Sequence, residues 1–290
     1  MTIRFVTFSV ILDDIVLADG RTYMAMLGGG GPQTCFGARL FMGANEVGIA
    51  SGVGADFDRS WFDAAGIDTR GLRSSADLPT MRAWQLIDQL EHDERRTQVW
   101  RVPQAAVRAG LDRSLSLLPP EYLEAQAFHL GIHPDQPDTE FVQSLRQLPQ
   151  RPLISVEVFK GADQLPGQAT LSSWLSLCDV FSANTAEAIS MGAPRAPDEA
   201  ARWFVALGAQ IVILRMGAQG SIICRDQTVV HVPALPLRQL PIGAVGAGNA
   251  YCGAFVASYL LHGDLERAGQ AGALAAKLVI EVERLPSEFV

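Results

Sequence analysis

Charge is scarce in this chain of 290 residues. Only 19% of them are Asp, Glu, Lys or Arg, below the usual quarter for soluble domains, and the balance is −8. A net acidic chain excludes an electrostatic nucleic-acid footprint, which needs a basic face. It leaves room for a single bound nucleotide, which backbone amides can hold. Cysteine is scarce too: Cys35, Cys178, Cys224 and Cys252 form neither a C-x-x-C pair nor a zinc-finger spacing. In a chain this long they make no disulfide scaffold, so a reducing compartment, the cytoplasm, is expected. The apolar stretch Phe5 to Leu12 is too short for a signal peptide and lacks a cleavage motif. Internal repeats, low-complexity segments and linkers are absent, so one domain is expected over residues 1–290. The stretch between Arg238 and Asp264 carries no formal charge and is long enough for a membrane span. Pro241, Asn249 and five glycines within it fit a loop running into a buried central helix instead.

Apolar residues, at 48%, are plentiful enough for a large core. Ile3 to Leu12 is rich in β-branched and aromatic residues and predicts a strand, with Asp13 and Asp14 just beyond its end. A glycine run, Gly28 to Gly31, leads into a helical pattern that opens at Pro32 and continues through Met42. Val47 to Val53 predicts a strand, and Asp56 a helix start. Residues 80–87 and 96–102 alternate around a charged turn and predict a hairpin. From Ala125 onward, strands near 126–130, 152–158, 179–182 and 210–215 alternate with helices near 138–148, 169–177, 185–191 and 197–207. That rhythm predicts a doubly wound, mostly parallel α/β sheet with helices on both faces. A hairpin, Ser221–Cys224 with Thr228–Val232, and two long helices near 247–262 and 264–283 complete the chain.

The sharpest motif is the crowd of small residues Gly243, Ala244, Val245, Gly246, Ala247, Gly248 and Asn249 at the start of an apolar helix. Glycine admits a ligand close to the backbone, and the exposed amides of a helix N-terminus favour an anion. The same residues suit close packing of a helix on a sheet. A P-loop is excluded because no lysine lies here, and a dinucleotide fingerprint because position 251 is Tyr251. Asn184 and Glu187 follow a predicted strand and fit a capping pair equally well. Arg215, Gly217 and Gly220 form a strand–turn. His129 and His133 are four apart, but Gly131 and Pro134 argue against a helical metal pair.

Taken in order, these landmarks resemble the ribokinase-like (PfkB) carbohydrate kinase family over nearly the whole chain. The family's C-terminal signature D-T-x-G-A-G-D is similar to Gly243–Asn249, and the G-A-G core matches. The resemblance implies an anion hole formed by the amides of Gly246, Ala247 and Gly248. It also implies a general base at position 249, which here is Asn249, and a cation-organising aspartate at 243, which here is Gly243. It assigns Asn184 and Glu187 to the magnesium and phosphate network, with Glu187 as metal ligand, and Arg215, Gly217 and Gly220 to ATP. Ala271, Gly272 and Ala273 fall where the adenine pocket closes. Asp13 falls where the family binds sugar hydroxyls, a task suited to a carboxylate acceptor. Gly29, Gly30 and Gln33 match the N-terminal substrate signature, with Gln33 or Thr34 in place of its usual Asn. The glycine run with Arg39, Thr80, Arg82 and Trp84 more closely resembles a divergent subgroup related to fungal killer-virus maintenance proteins. A β-lid is implied at about 14–27 and 79–103, and a homodimer through it is expected because an unpaired lid edge is an aggregation hazard.

The implied activity is ATP- and Mg²⁺-dependent phosphorylation of a sugar or polyol hydroxyl. A neutral amide cannot take the hydroxyl proton, and a positioned base is worth about 10²–10⁴-fold. Phosphoryl transfer depends mostly on positioning and charge stabilisation, so transfer can persist without that base, with Asp13 or a water taking the proton late. The competing expectation is a pseudokinase that binds nucleotide or sugar without transfer.

Overall fold

In the computed structural model, residues 2–90, 93–238, 245–282 and 285–286 are described. The chain runs β1 (Phe5–Phe8), β2 (Ile11–Leu17), β3 (Thr22–Gly28), α1 (Gly31–Arg39), β4 (Val47–Gly54), α2 (Ser60–Ala65), β5 (Asp68–Ser75), β6 (Arg82–Leu90), β7 (Asp93–Trp100) and α3 (Gln104–Leu111). It continues β8 (Ala127–Ile132), α4 (Thr139–Arg146), β9 (Leu153–Val158), α5 (Gln168–Leu175), β10 (Val180–Asn184), α6 (Thr185–Ser190), α7 (Pro197–Ala206) and β11 (Ile211–Arg215). The hairpin β12 (Ser221–Arg225) and β13 (Thr228–Val232) precedes α8 (Ala247–His262) and α9 (Leu265–Ile280).

Nine strands form the large sheet in the order β13-β12-β11-β10-β9-β8-β1-β4-β5. The pairs from β5 through to β11 are parallel, and the β11–β12–β13 edge is antiparallel. Both faces are covered, which is why these strands read as continuous apolar runs. One face packs Phe8, Phe128 and Phe181 beneath Phe141 of α4, Trp174 of α5 and Phe204 of α7. The other packs Phe5, Ile49 and Ile213 beneath Cys35 of α1, Phe62 of α2 and Phe255 of α8. All four cysteines are buried and unpaired. Among the described residues no helix is long and apolar enough to cross a membrane.

A second sheet has the order β3-β2-β6-β7. The predicted hairpin appears in it as antiparallel β6 and β7, while the turn residues Glu91 and His92 lie outside the described residues. Three expectations are corrected. The predicted first strand is two strands in two sheets, separated at Ser9, whose φ is +73°. Asp13 and Asp14 therefore lie inside β2 and not past a strand end. Residues 5–11 are buried throughout, so the apolar run passes through the change of sheet without a break in pattern. Asp56 starts no helix: its carboxylate accepts from the Thr80 amide at 3.0 Å and the Thr80 hydroxyl at 2.8 Å, tying β6 to the loop after β4. Strands β3 and β5 and helix α3 had no separate forecast.

The strand order reverses between β1 and β8, which lie side by side but lead to opposite halves of the sheet. In parallel α/β sheets the crevice at such a switch, beyond the carboxyl ends of the strands, is where ligands bind. Here β2 and β3 carry the small sheet out from that edge, and the N-termini of α1 and α8 approach it.

Candidate active site

The inner face of the small sheet supplies the first carboxylate. Successive side chains of a strand point to opposite faces, so Asp13 and Asp14 diverge. Asp13 is 3% exposed, accepts from Gln85 Nε2 at 2.7 Å, and faces the crevice. A Cβ on Gly28 would overlap the Asp13 carboxylate, so glycine there gives the acid its space. Asp14 faces the other way and is clamped by Arg82, at 2.7 and 2.8 Å, and by Arg101. Ala25, at a bulge in β3 with φ +53°, donates its amide to Asp14 at 2.9 Å. Burial pushes the Asp14 carboxyl up, but the bonds from Arg82, Ala25 and Arg101 outweigh it and hold it at about 2.

Opposite stand two helix starts. Gly30 precedes α1 with φ +84°, a conformation that costs glycine nothing, and a Cβ there would sit 2.7 Å from Asn249 Nδ2. Gln33 in the first turn of α1 donates to the Leu27 carbonyl at 2.7 Å and packs against Gly246. Its Oε1 is buried without a partner and is an acceptor awaiting a donor. Gly246 caps α8 in the left-handed conformation, and among the described residues no side chain takes the first amides of this 16-residue helix. Such a terminus presents N–H groups and partial positive charge to an anion. Asp13, Gly28, Gly29, Gly30, Gln33, Gly246 and Asn249 all line one crevice, which His129, Arg113 and Glu157 line as well. The two halves of the expected site therefore meet.

A third group comes from the carboxyl ends of β9, β10 and β11. Asn184 accepts from the Glu187 amide at 2.8 Å, and Glu187 accepts from the Asn184 amide at 2.7 Å, which closes a reciprocal capping box on α6. Arg215 lies 3.5 Å from Glu187 and 3.7 Å from Glu157, and its guanidinium packs directly on Gly248. Burial would lower its pKa, but Glu187, the Cys252 thiol and Glu157 raise it on balance, so it stays a cation. Among the described residues Arg215 Nε has no hydrogen-bond partner. A partly buried cation beside uncapped amides suits a polyphosphate. The fit to a metal is poorer: the Glu187 carboxylate already holds its cap amide and faces a guanidinium, so this arrangement does not present it as an open cation ligand. Gly217, φ +58°, lies in an exposed turn with open space around it, whereas Gly220 packs on the backbone of Val232. Neither lines the crevice. Gly272 packs on the ring of Tyr251 between α8 and α9. Gly243 lies outside the described residues.

Sequence reading passed over Glu157, Arg113 and Gln85, and weighed His129 only as a metal ligand. Glu157 is 2% exposed, touched by Asn249 Nδ2, 3.4 Å from Cys252 Sγ and 3.6 Å from His129 Nε2. Burial pushes its carboxyl up, but His129, Arg215 and the Cys252 thiol outweigh that and hold it below the ordinary carboxylate range. His129 Nδ1 meets the Ser155 hydroxyl at 2.9 Å, and its Nε2 has no hydrogen-bond partner. Arg113 bridges the Gly131 carbonyl and the Ser9 hydroxyl, each at 3.1 Å, across the β1–β8 switch. One signal was available: Glu157 is the sole charged residue of Leu153–Val158, a central strand that should be apolar throughout.

Comparison with known proteins finds relatives over most or all of the chain. A cytidine kinase of Thermococcus kodakarensis is 25% identical over 277 residues, covering 94% of each chain. A nucleoside kinase of Methanothermobacter thermautotrophicus is 25% identical over 256 residues, 85% of this chain and 75% of the relative. The structure of Arabidopsis thaliana ribokinase complexed with ribose and ATP superposes with a TM-score of 0.74 at 18% identity, over 99% of this chain and 96% of that one. The fold is thus ribokinase-like. The sequence pattern of the pfkB family carbohydrate kinases matches residues 2–285, and this chain belongs to that family.

Proposed function

We propose that the protein transfers the γ-phosphoryl group of ATP to a hydroxyl of a sugar-bearing small molecule. The observation that carries this reading is the convergence of Asp13 and the uncapped start of α8 on one crevice. Asp13, fixed by Gln85, accepts hydrogen bonds from acceptor hydroxyls, and Gln33 Oε1 accepts another. The amides of Gly246, Ala247 and Gly248 face the charge that develops on the transferring group, and Arg215 adds a fixed cation there. ATP supplies the phosphoryl group. A magnesium ion bound with it would be held by the phosphates and waters more than by Glu187.

Among acceptors we favour a nucleoside or a free pentose. The crevice rim carries Trp100, Phe159 and Leu111, all exposed, and flat apolar surface of this kind suits a base attached to a sugar. The relatives named above as cytidine and nucleoside kinases support the same choice. The small sheet acts as a lid over the acceptor, and its outer face, with Leu86 and Val99 exposed, pairs with a second copy.

The test is ADP formation from ATP and Mg²⁺ with cytidine, other nucleosides, ribose and hexoses as acceptors. Acceptor-dependent ADP with at least one of them is expected. Tight ATP binding with no acceptor-dependent ADP across the panel would replace this reading with nucleotide binding alone.

A further inference from the structure

An amide stands where the family resemblance implies a general base, yet a carboxylate touches that amide. Asn249 lies in the first turn of α8, and its Nδ2 donates to Glu157 Oε1. Glu157 comes from the end of β9 and lines the same space as Asp13, Gly30 and Asn249. Its burial is costly for a charged group and needs compensation. A purely structural acid would spend both oxygens on strong donors. Glu157 instead has the Asn249 amide on one oxygen and, on the other, a thiol at 3.4 Å, a weak donor, and Arg215 at 3.7 Å. His129 Nε2 is aimed at it from 3.6 Å, short of a hydrogen bond, and is buried without any other partner. The carboxylate is therefore walled in and only loosely satisfied on the side of the crevice.

Resting on the kinase reading above, we propose that Glu157 is the catalytic base, and that Asn249 orients both Glu157 and the acceptor hydroxyl. The hydroxyl O–H bond breaks and its proton passes to a Glu157 oxygen. The freed oxygen electrons form the new O–P bond as the bond from the γ-phosphorus to the β-bridging oxygen breaks, and that electron pair leaves with ADP. Protonated Glu157 then returns its proton to water once product departs. With the carboxylate on the β9 wall, a negative charge at position 249, directly on the helix start that receives the phosphoryl group, is no longer needed. This arrangement keeps the anion site more positive than a carboxylate at 249 would.

The experiment compares wild type, Glu157→Gln, Glu157→Asp and Glu157→Gln/Asn249→Asp on ATP–Mg²⁺ with cytidine and ribose. Thermal melting and ATP binding by calorimetry run alongside. Glu157→Gln should lower kcat by about 10²–10⁴-fold, with ATP affinity and acceptor KM within a few-fold of wild type. Glu157→Asp keeps the charge but withdraws it by one methylene, and should cost about 10²-fold through misplacement. The double variant moves the carboxylate to position 249 on the start of α8 and should recover at least part of the rate lost in Glu157→Gln. If Glu157→Gln fails to melt cooperatively, Glu157→Asp and the double variant carry the test. The proposal is overturned if a folded Glu157→Gln or Glu157→Asp protein turns over at the wild-type rate. It is also overturned if the kcat loss is matched by an equal loss of ATP affinity. Wild type that binds ATP but transfers to neither acceptor, nor to any other of the panel, sinks the kinase reading itself, and this proposal with it.

Discussion

The two sheets are stabilised by different physics. The large sheet is buried on both faces, and its strands meet helices through Phe, Ile, Val and Leu. The small sheet has one face toward the crevice and one toward solvent. Its outer face is fixed by charge, with Asp14 between Arg82 and Arg101 and the Arg101 guanidinium 4.6 Å over the Trp84 ring. Apolar burial is non-directional and hard to undo locally, whereas a charge clamp fixes register and opens when one partner is removed. A rigid platform and a separately fastened flap are what a site needs if it must admit an acceptor and then exclude water.

The comparison can be pressed hardest at the platform. Phe128→Ala empties space beside Phe8 in the large-sheet core and should cost about 3–5 kcal/mol, read from the urea midpoint at unchanged m-value. At the flap, Asp14→Asn leaves two guanidinium groups without their carboxylate. Removing a partner from a fully buried pair costs about 3–5 kcal/mol, but both arginines are a third exposed here, so about 1–3 kcal/mol is expected. That difference should depend on pH. The folded Asp14 value, about 2, lies below the ordinary 3.8, so its stabilisation is fully present above pH 4 and lost as pH falls toward 2. Melting temperatures of wild type and Asp14→Asn should therefore converge on acidification. A gap that widens with acid would contradict the clamp.

Smaller effects sharpen the contrast. Asn184→Ala removes one half of the capping box on α6 and should cost about 1 kcal/mol by chemical denaturation. The same variant should weaken ATP binding little, because the side chain is engaged with its own helix. Leu86→Ser, on the exposed outer face, should change stability by no more than about 0.5 kcal/mol. Sedimentation velocity should nonetheless show it shifting a wild-type dimer toward monomer, and wild type sedimenting only as monomer would remove the proposed lid-to-lid contact.

Legibility followed the same division. Strands β8 to β13 and helices α4 to α9 were readable to within a few residues, because period and length agree wherever one sheet is buried on both faces. The break at Ser9 was not, since burial on either side of it leaves one uninterrupted apolar run. At the site, the glycines, Asp13, Gln33 and Asn249 carried local signals: a run, a strand-adjacent acid, a helix start. Glu187 was read as a metal ligand and as a cap, and in the fold it serves as the cap. Glu157 and Arg113 were passed over because their meaning depends on partners 92 and 104 positions away along the chain.

By itself, the sequence determined the class of fold, the net acidic balance and the presence of a glycine-rich helix start. Those properties depend on neighbours a few residues apart, where spacing and side-chain chemistry suffice. Tertiary structure alone decided which acid faces the crevice, that Arg215 rests on Gly248, and that a carboxylate from β9 reaches Asn249. Each of these is a meeting of segments far apart in the chain. Such meetings follow from how whole strands stack and reverse order, which no local pattern encodes.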